Sequence, residues 1–190
     1  MLLAGCGSTF RISYDTPIEP AVSRGWTVTE VRVTVPDELE VSEQKSIFPQ
    51  ADIVWREDPE GDRKAQVAAI IRDAASEAAA PLNGPRAVAI DITLQRFHAL
   101  TFEAERRLED AGVHNTIFTA SVVDAASGAI LVGPTEIHAD AAAFSGPKAV
   151  EYRRQGATQK DVITTAIRRT IAGWLGVGPD PRGEFNRIGG

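Results

Sequence analysis

The side chains able to do chemistry in this chain are few: a single cysteine, Cys6, and three histidines, His98, His114 and His138. Two histidines beside a carboxylate can hold a metal or pass a proton, so His98, His138 and Asp140 are the set to weigh if neighbouring strands bring them together. Their spacing fits no metal-ligand pattern, and hydrogen bonding at strand ends accounts for them better. The acidic cluster Glu57, Asp58, Glu60 and Asp62 departs from the order of a calcium loop and reads as a solvated segment that complements a helix start. Arg153-Arg154 and Arg168-Arg169 could meet an acidic group, but solvated helix faces explain them more simply. No G-x-S-x-G, P-loop or glycine-rich dinucleotide turn occurs. The expectation is a protein that is not an enzyme and that carries no metal and no cofactor. The alternative is an enzyme or small-ligand-binding protein whose site is assembled from scattered His, Asp and Arg residues.

One cysteine allows no internal disulfide. Small residues precede it in Leu3-Ala4-Gly5-Cys6, as a signal peptidase needs to seat the chain in a narrow cleft. The segment resembles the bacterial lipobox, in which the Cys becomes the lipidated first residue of the mature protein. Cys6 is therefore the expected site of lipid attachment. Met1 to Gly5 is too short to hold a basic region and a full apolar run, so residues 1–6 read as the remnant of a signal peptide whose start lies upstream. The resemblance also implies a destination. Gly7, rather than Asp, after the Cys favours the outer membrane facing the periplasm.

Composition narrows the partners. A chain of 190 residues, 43% hydrophobic and 24% charged, can bury a real core and is most simply one globular domain with tails. A net charge of −6 and a pI near 5.1 argue against nucleic acid as a partner, because phosphate contacts need a basic footprint. No run is long and apolar enough to span a bilayer, so membrane attachment must come through an anchor or a partner.

Several elements must position whatever site exists. Residues 7–25 read as a flexible tether, since Pro17 and Pro20 forbid a continuous helix. In WTVTEVRVTVP, Val31, Val33 and Val35 alternate with polar residues to give a strand closed by Pro36. ADIVW is a second short strand. RAVAIDITLQRFHALTF alternates Val88, Ile90, Ile92 and Leu94 against Asp91, Thr93 and Gln95, and TIFTASVVD and the run after Ser127-Gly128 continue the pattern. Between the first two of these, the charged connection could form one exposed helical turn or a protruding hairpin around Ala104 to Asn115, tipped near Ala111-Gly112; the hairpin is favoured, because Gly112 provides the turn.

Two helices are legible. From about Arg63, Val67, Ile70, Ile71, Ala74, Ala75 and Ala78 recur at helical spacing, with Asp58-Pro59 or Asp62 at the start and Pro81 and Asn83-Gly84 at the stop. Thr158 and Asp161 make a capping-box start, followed by a stripe through Ile163, Ile167, Ile171 and Trp174 that ends at Gly176. The order is β-β-α-β-β-β-α. It predicts an α+β fold, a mostly antiparallel sheet with two amphipathic helices on one face and a partly polar opposite face. The single domain spans residues 26–176, and residues 177–190 form a flexible tail.

The stretches VRVTVPDELEVSE, ADIVWREDPEGDRKAQV, RFHALTFEAERR, AGVHNTIFTASVVDAASGAILVGP and TQKDVI resemble an uncharacterised family of bacterial lipoproteins, a domain of unknown function. That family transfers no catalytic residues. The lipobox, tether and compact α+β domain are also similar in architecture to auxiliary lipoproteins of ABC-type transport systems and to LptE-like assembly lipoproteins. The resulting expectation is a periplasm-exposed domain, lipid-anchored through Cys6, that docks on an envelope protein complex. The expected contact is an exposed strand edge or the predicted hairpin, the latter through Glu105, Arg106, Arg107, Gly112 and His114.

Overall fold

The computed structural model describes residues 8–187. Its elements are β1 (Ser8–Ser13), α1 (Pro20–Ser23), β2 (Trp26–Thr34), β3 (Ile53–Val54), α2 (Arg63–Ala79), β4 (Arg86–His98), α3 (Phe102–Arg107), β5 (Val113–Asp124), β6 (Ile130–Ala139), β7 (Ala141–Ala142), α4 (Pro147–Arg154), α5 (Gln159–Trp174) and β8 (Gly183–Arg187). The fold is α+β, with a mostly antiparallel sheet in the order β2-β4-β5-β6-β1-β8. Only β2 and β3 run parallel to β4, and α2 lies on the crossover from β2.

Alternation decides which face of the sheet is covered. Ile90, Ile92 and Leu94 of β4, Phe118, Ala120 and Val122 of β5, and Ile137 of β6 are all buried in one core with α2 and α5. The partner face stays wet: Thr93 and Gln95 are exposed, Thr119 and Ser121 half-buried, and Arg32 pairs with Asp91 at 2.6 Å. A bulge between Leu94 and Arg96 then shifts the phase of β4 by one residue. Beyond it Phe97 takes the buried position and His98 sits opposite Asn115.

The two long helices follow their sequence signals. Asp62 caps α2 by accepting a hydrogen bond from the Ala65 amide at 3.0 Å. Its Ala74, Ala75 and Ala78 are small enough to let α5 come close, and the two helices share one core with the sheet. Thr158 and Asp161 form the reciprocal capping box of α5, whose Ile163, Ile167, Ile171 and Trp174 are fully buried. Gly176, with φ of +69°, lies beyond its last turn.

Three expectations need correction. Residues 7–25 are not a tether from Ser8 onward: β1 pairs antiparallel with β6 and, over five residues, with β8. Tyr14 and Ile18 are buried, and the Ile18 amide donates to the Trp174 carbonyl at 2.7 Å. Nor are residues 177–187 a flexible tail, because β8 closes the sheet against β1. The two segments lock each other: Tyr14 donates to Asp180 at 2.9 Å, Arg182 chelates Asp180, and its guanidinium lies 4.9 Å above the Tyr14 ring. Burial and the Asp180 carboxylate keep the Tyr14 hydroxyl protonated well above its usual range.

The third correction concerns the hairpin around Ala104 to Asn115. Residues 102–107 form helix α3 instead, because Thr101 caps it by accepting from the Ala104 amide at 3.0 Å while acidic residues fill its first turn and Arg106 and Arg107 its last. A further short helix, α4, precedes α5. The expected anchor residue Cys6 lies outside the described residues.

Gly173 reports on how the two chain ends seat on α5. In a helix, Gly→Ala ordinarily stabilises by about 1 kcal/mol. At Gly173 an added methyl would strike Pro181 Cδ, approach the Tyr14 hydroxyl to 2.8 Å and the Pro179 carbonyl to 3.1 Å. Gly173→Ala should therefore destabilise, by about 1–3 kcal/mol. A rise in melting temperature would show that residues 177–182 do not pack there.

Candidate functional site

The end of the sheet where β1 begins and β4 finishes, here called the lower end, gathers most of the residues singled out above. The bulge in β4 delivers Arg96 and His98 to it, and β5 opposes them with Val113 and Asn115. The irregular segment 47–52 arches over these strands, leaving an open cleft of about 610 Å³ between Phe48, His98, Leu108, Asn115 and Phe10. His98 meets the Ala51 carbonyl at 2.5 Å, and burial holds its imidazole below the usual pKa. The Arg96 guanidinium is exposed at the cleft. Mixed polar and aromatic walls of this size suit a ligand or a peptide segment.

His98, His138 and Asp140 do not converge. His138 lies 3.0 Å from Glu136 and 3.2 Å from the Arg11 guanidinium, while the Asp140 carboxylate accepts from the Arg11 amide at 3.0 Å and from Asn115 Nδ2 at 2.6 Å. Burial raises the pKa of Asp140. Among the described residues, no three His, Cys, Asp or Glu side chains are placed to hold a metal ion. Asp140 ties Asn115 and β1 together.

The expected contact residues separate into two kinds. Arg106 and Arg107 are exposed on α3. Glu105 is buried, with a bidentate contact to Arg153 at 2.6 and 2.7 Å and a hydrogen bond from Gln159 Nε2 at 2.7 Å. Arg153 also chelates Glu57, at 2.8 and 3.0 Å. This cluster ties α3, α4, α5 and the segment before α2 together, and its two carboxylates raise the pKa of Arg153 beyond its ordinary value. Gly112 is buried with φ of +94°, and a methyl there would press on Leu100. It makes the turn into β5, but beneath α3 instead of at an exposed tip.

His114 is the least expected of the set. Its side chain is 1% exposed, on the covered face of β5, and neither ring nitrogen has a hydrogen-bond partner among the described residues. The hydroxyl of Thr116, two residues on along the same face, is equally unpartnered. His114 abuts a space of about 10 Å³, with Glu105, Tyr152, Arg153 and Gln159 beside it. Sequence reasoning took His114 for a surface residue because it followed a predicted hairpin tip. The two-residue alternation of His114, Thr116, Phe118 and Ala120 carried the opposite signal.

With this geometry in hand, kinship can be stated. Residues 26–190 match a family of unknown function, DUF6778. The chain belongs to that family. The DUF6778 match starts at β2 and takes in the cleft, α3 and the Glu105–Arg153 cluster. No curated protein matches the sequence. Among solved structures, the chain is similar to a PelC dodecamer from Paraburkholderia phytofirmans, at 12% identity and a TM-score of 0.38 over 87% of this chain and 95% of that one. It is also similar to a proposed lipoprotein from Caulobacter crescentus CB15, at 15% identity and a TM-score of 0.36 over 84% and 96%. Likenesses this slight say nothing of what a DUF6778 chain binds.

Burial of His114 sets a pH dependence. Desolvation pushes its pKa from 6.5 to about 3. As pH falls below about 6.5 the unfolded chain takes up a proton that folded His114 refuses, so stability is lost on acidification through that window, by up to about 1.4 kcal/mol per pH unit. Urea unfolding of His114→Phe should show a shallower loss of stability across the same window than the parent protein. Identical slopes for the two would mean that His114 is hydrated or paired in solution.

Proposed function

We propose that this protein is a non-enzymatic lipoprotein of the bacterial envelope, anchored through Cys6, whose domain docks on a protein complex of the envelope. The observation that carries the reading is the segment Leu3-Ala4-Gly5-Cys6, whose lipobox-like cysteine stands two residues in sequence before Ser8, the first described residue of β1. A reactive thiol would need a shell of groups to hold and activate it, whereas a lipid-bearing residue needs only to lie outside the core. The sorting pattern after the cysteine favours the outer membrane, with the domain in the periplasm. Transport and assembly complexes are the partner class to which the anchored α+β architecture is most similar.

Docking draws on the lower end of the molecule. Arg106 and Arg107 project from α3 beside the cleft, and the Glu105–Arg153 cluster holds that helix rigidly enough to present them. An anchored chain of net charge −6 meets its partner through such local features rather than through an overall field.

Intact mass of the protein purified from its own membranes, expressed with the full upstream reading frame, should show a lipid-sized increment on a chain beginning at Cys6. Cys6→Ser should move the protein to the soluble fraction and leave its melting temperature unchanged, because Cys6 lies outside every periodic element of the sequence. An unmodified mass in the soluble fraction of wild-type cells would remove the anchor.

A further inference from the structure

We infer that the lower end of the domain, centred on Phe48 and Phe102, lies against the bilayer to which Cys6 is anchored. The inference rests on the reading of Cys6 as the lipid-bearing residue and adds the orientation that follows from it. Cys6 stands two residues before Ser8, and two extended residues reach about 7 Å. The start of β1 must then sit at the headgroup level, and whatever surrounds it faces the membrane.

What surrounds it is a contiguous surface. Ser8 pairs with Arg187 of β8, and the Arg187 guanidinium holds Asp110 at 2.9 Å and the Ala143 carbonyl at 2.6 Å, next to α3 and α4. Phe10 shares the cleft with Phe48. Thr101, the cap of α3, donates to the Ser46 carbonyl at 2.7 Å, which ties the segment carrying Phe48 to the start of α3, whose first residue is Phe102. Arg153 of α4 lies 5.9 Å over the Phe102 ring, and Val150 is on the same helix. Phe48 is 60% exposed, Phe102 42% and Val150 54%.

Both strongly exposed phenylalanines of the described residues thus fall at the end where the chain arrives from Cys6. Exposed aromatic and aliphatic side chains flanked by the arginines of α3 are the composition of a surface that rests in the headgroup and upper acyl region. Ile130, 63% exposed, is the first residue of β6 at the far end of the sheet, and Val22, 48% exposed, is on α1 just before the start of β2. Ile130 supplies an internal control, since isolated exposed apolar residues need no partner.

The test uses the full chain coupled through its one thiol, Cys6, to vesicles of brominated-acyl phosphatidylcholine containing a minor fraction of maleimide-headgroup lipid. Phe48→Trp, Phe102→Trp and Ile130→Trp are compared in brominated and unbrominated vesicles. The native Trp26, Trp55 and Trp174 are 4% exposed or less and give a constant background. The expected result is loss of the added emission in the Phe48→Trp and Phe102→Trp variants on bromination, with the Ile130→Trp signal unchanged. Emission that is equal with and without bromine in the first two, in samples whose mass confirms coupling and whose melting temperature matches the parent, overturns the orientation, as does quenching of all three alike. Whether the cell itself places lipid on Cys6 is read separately from the intact mass, so failure of the anchor and failure of the orientation give different results.

Discussion

The pairing of β1 between β6 and β8 is the constraint on which the lower half of the molecule depends. Without it, β6 would present an unpaired edge and Tyr14, Ile18 and Trp174 would lose part of their cover. With it, the first described residue is fixed in space, and so is the distance to anything attached just before it. A coil over residues 7–25 would have let the domain range about 25 Å from its anchor. A strand that begins at Ser8 reduces that reach to about 7 Å. On the reading of Cys6 as the lipid-bearing residue, one register of backbone hydrogen bonds would convert a tethered domain into a seated one.

A second interaction keeps the seated end rigid. Arg153 is shared between Glu57 and Glu105, with Gln159 completing the set, and each carboxylate oxygen finds a donor. Removing charged groups from water costs several kcal/mol per ion unless geometry and further hydrogen bonds offset it. Bidentate contacts at both carboxylates supply that geometry, so the cluster fixes the relative placement of α3, α4 and α5 more than it adds net stability. Beside it His114 goes without a partner among the described residues, which puts a fully satisfied and an unsatisfied polar group around one small volume. Native cores seldom keep such a contrast, and the desolvated imidazole is the group from which sensitivity to acid is expected here.

The central elements were legible in the sequence because their signals are local. The alternation in β4 and β5, the apolar stripes of α2 and α5 and the Thr158–Asp161 box each specify a period or a cap within a few residues. What was hidden is non-local or short. Thr9 meets Asn186 across 177 residues of sequence, and nothing in either segment announces the other. Pro17 and Pro20 signal a break in helix, which is true, but a proline-rich segment can break helix and still lie packed, as Ile18 does. Helix α3 spans six residues, fewer than a hydrophobic period can reveal, and its one signal was Thr101 as a cap ahead of Glu103 and Glu105. The bulge at Leu94–Arg96 inverted the face of everything after it, so the side of β4 on which His98 lies could not be counted from Ile92. The candidate contact residues inherited both errors: Arg106 and Arg107 are exposed, whereas Glu105, Gly112 and His114 are structural.

A short reach also changes what a docking partner can touch. If the lower end rests on lipid, Arg106 and Arg107 lie at the headgroup level, and a partner that uses them must itself sit in or on the same membrane. A partner free in the surrounding compartment is left with the open sheet face, where Arg32, Asp91, Thr93, Gln95 and Glu136 are accessible, and with the β5–β6 turn at the far end. That face carries the Arg32–Asp91 pair, joined also by Glu30, whose members satisfy each other and make poor anchors for a tight contact. Burying them would cost desolvation with little to offset it. The physical balance therefore favours a membrane-level neighbour over a freely diffusing one, and it does so through the position of a single edge-closing strand.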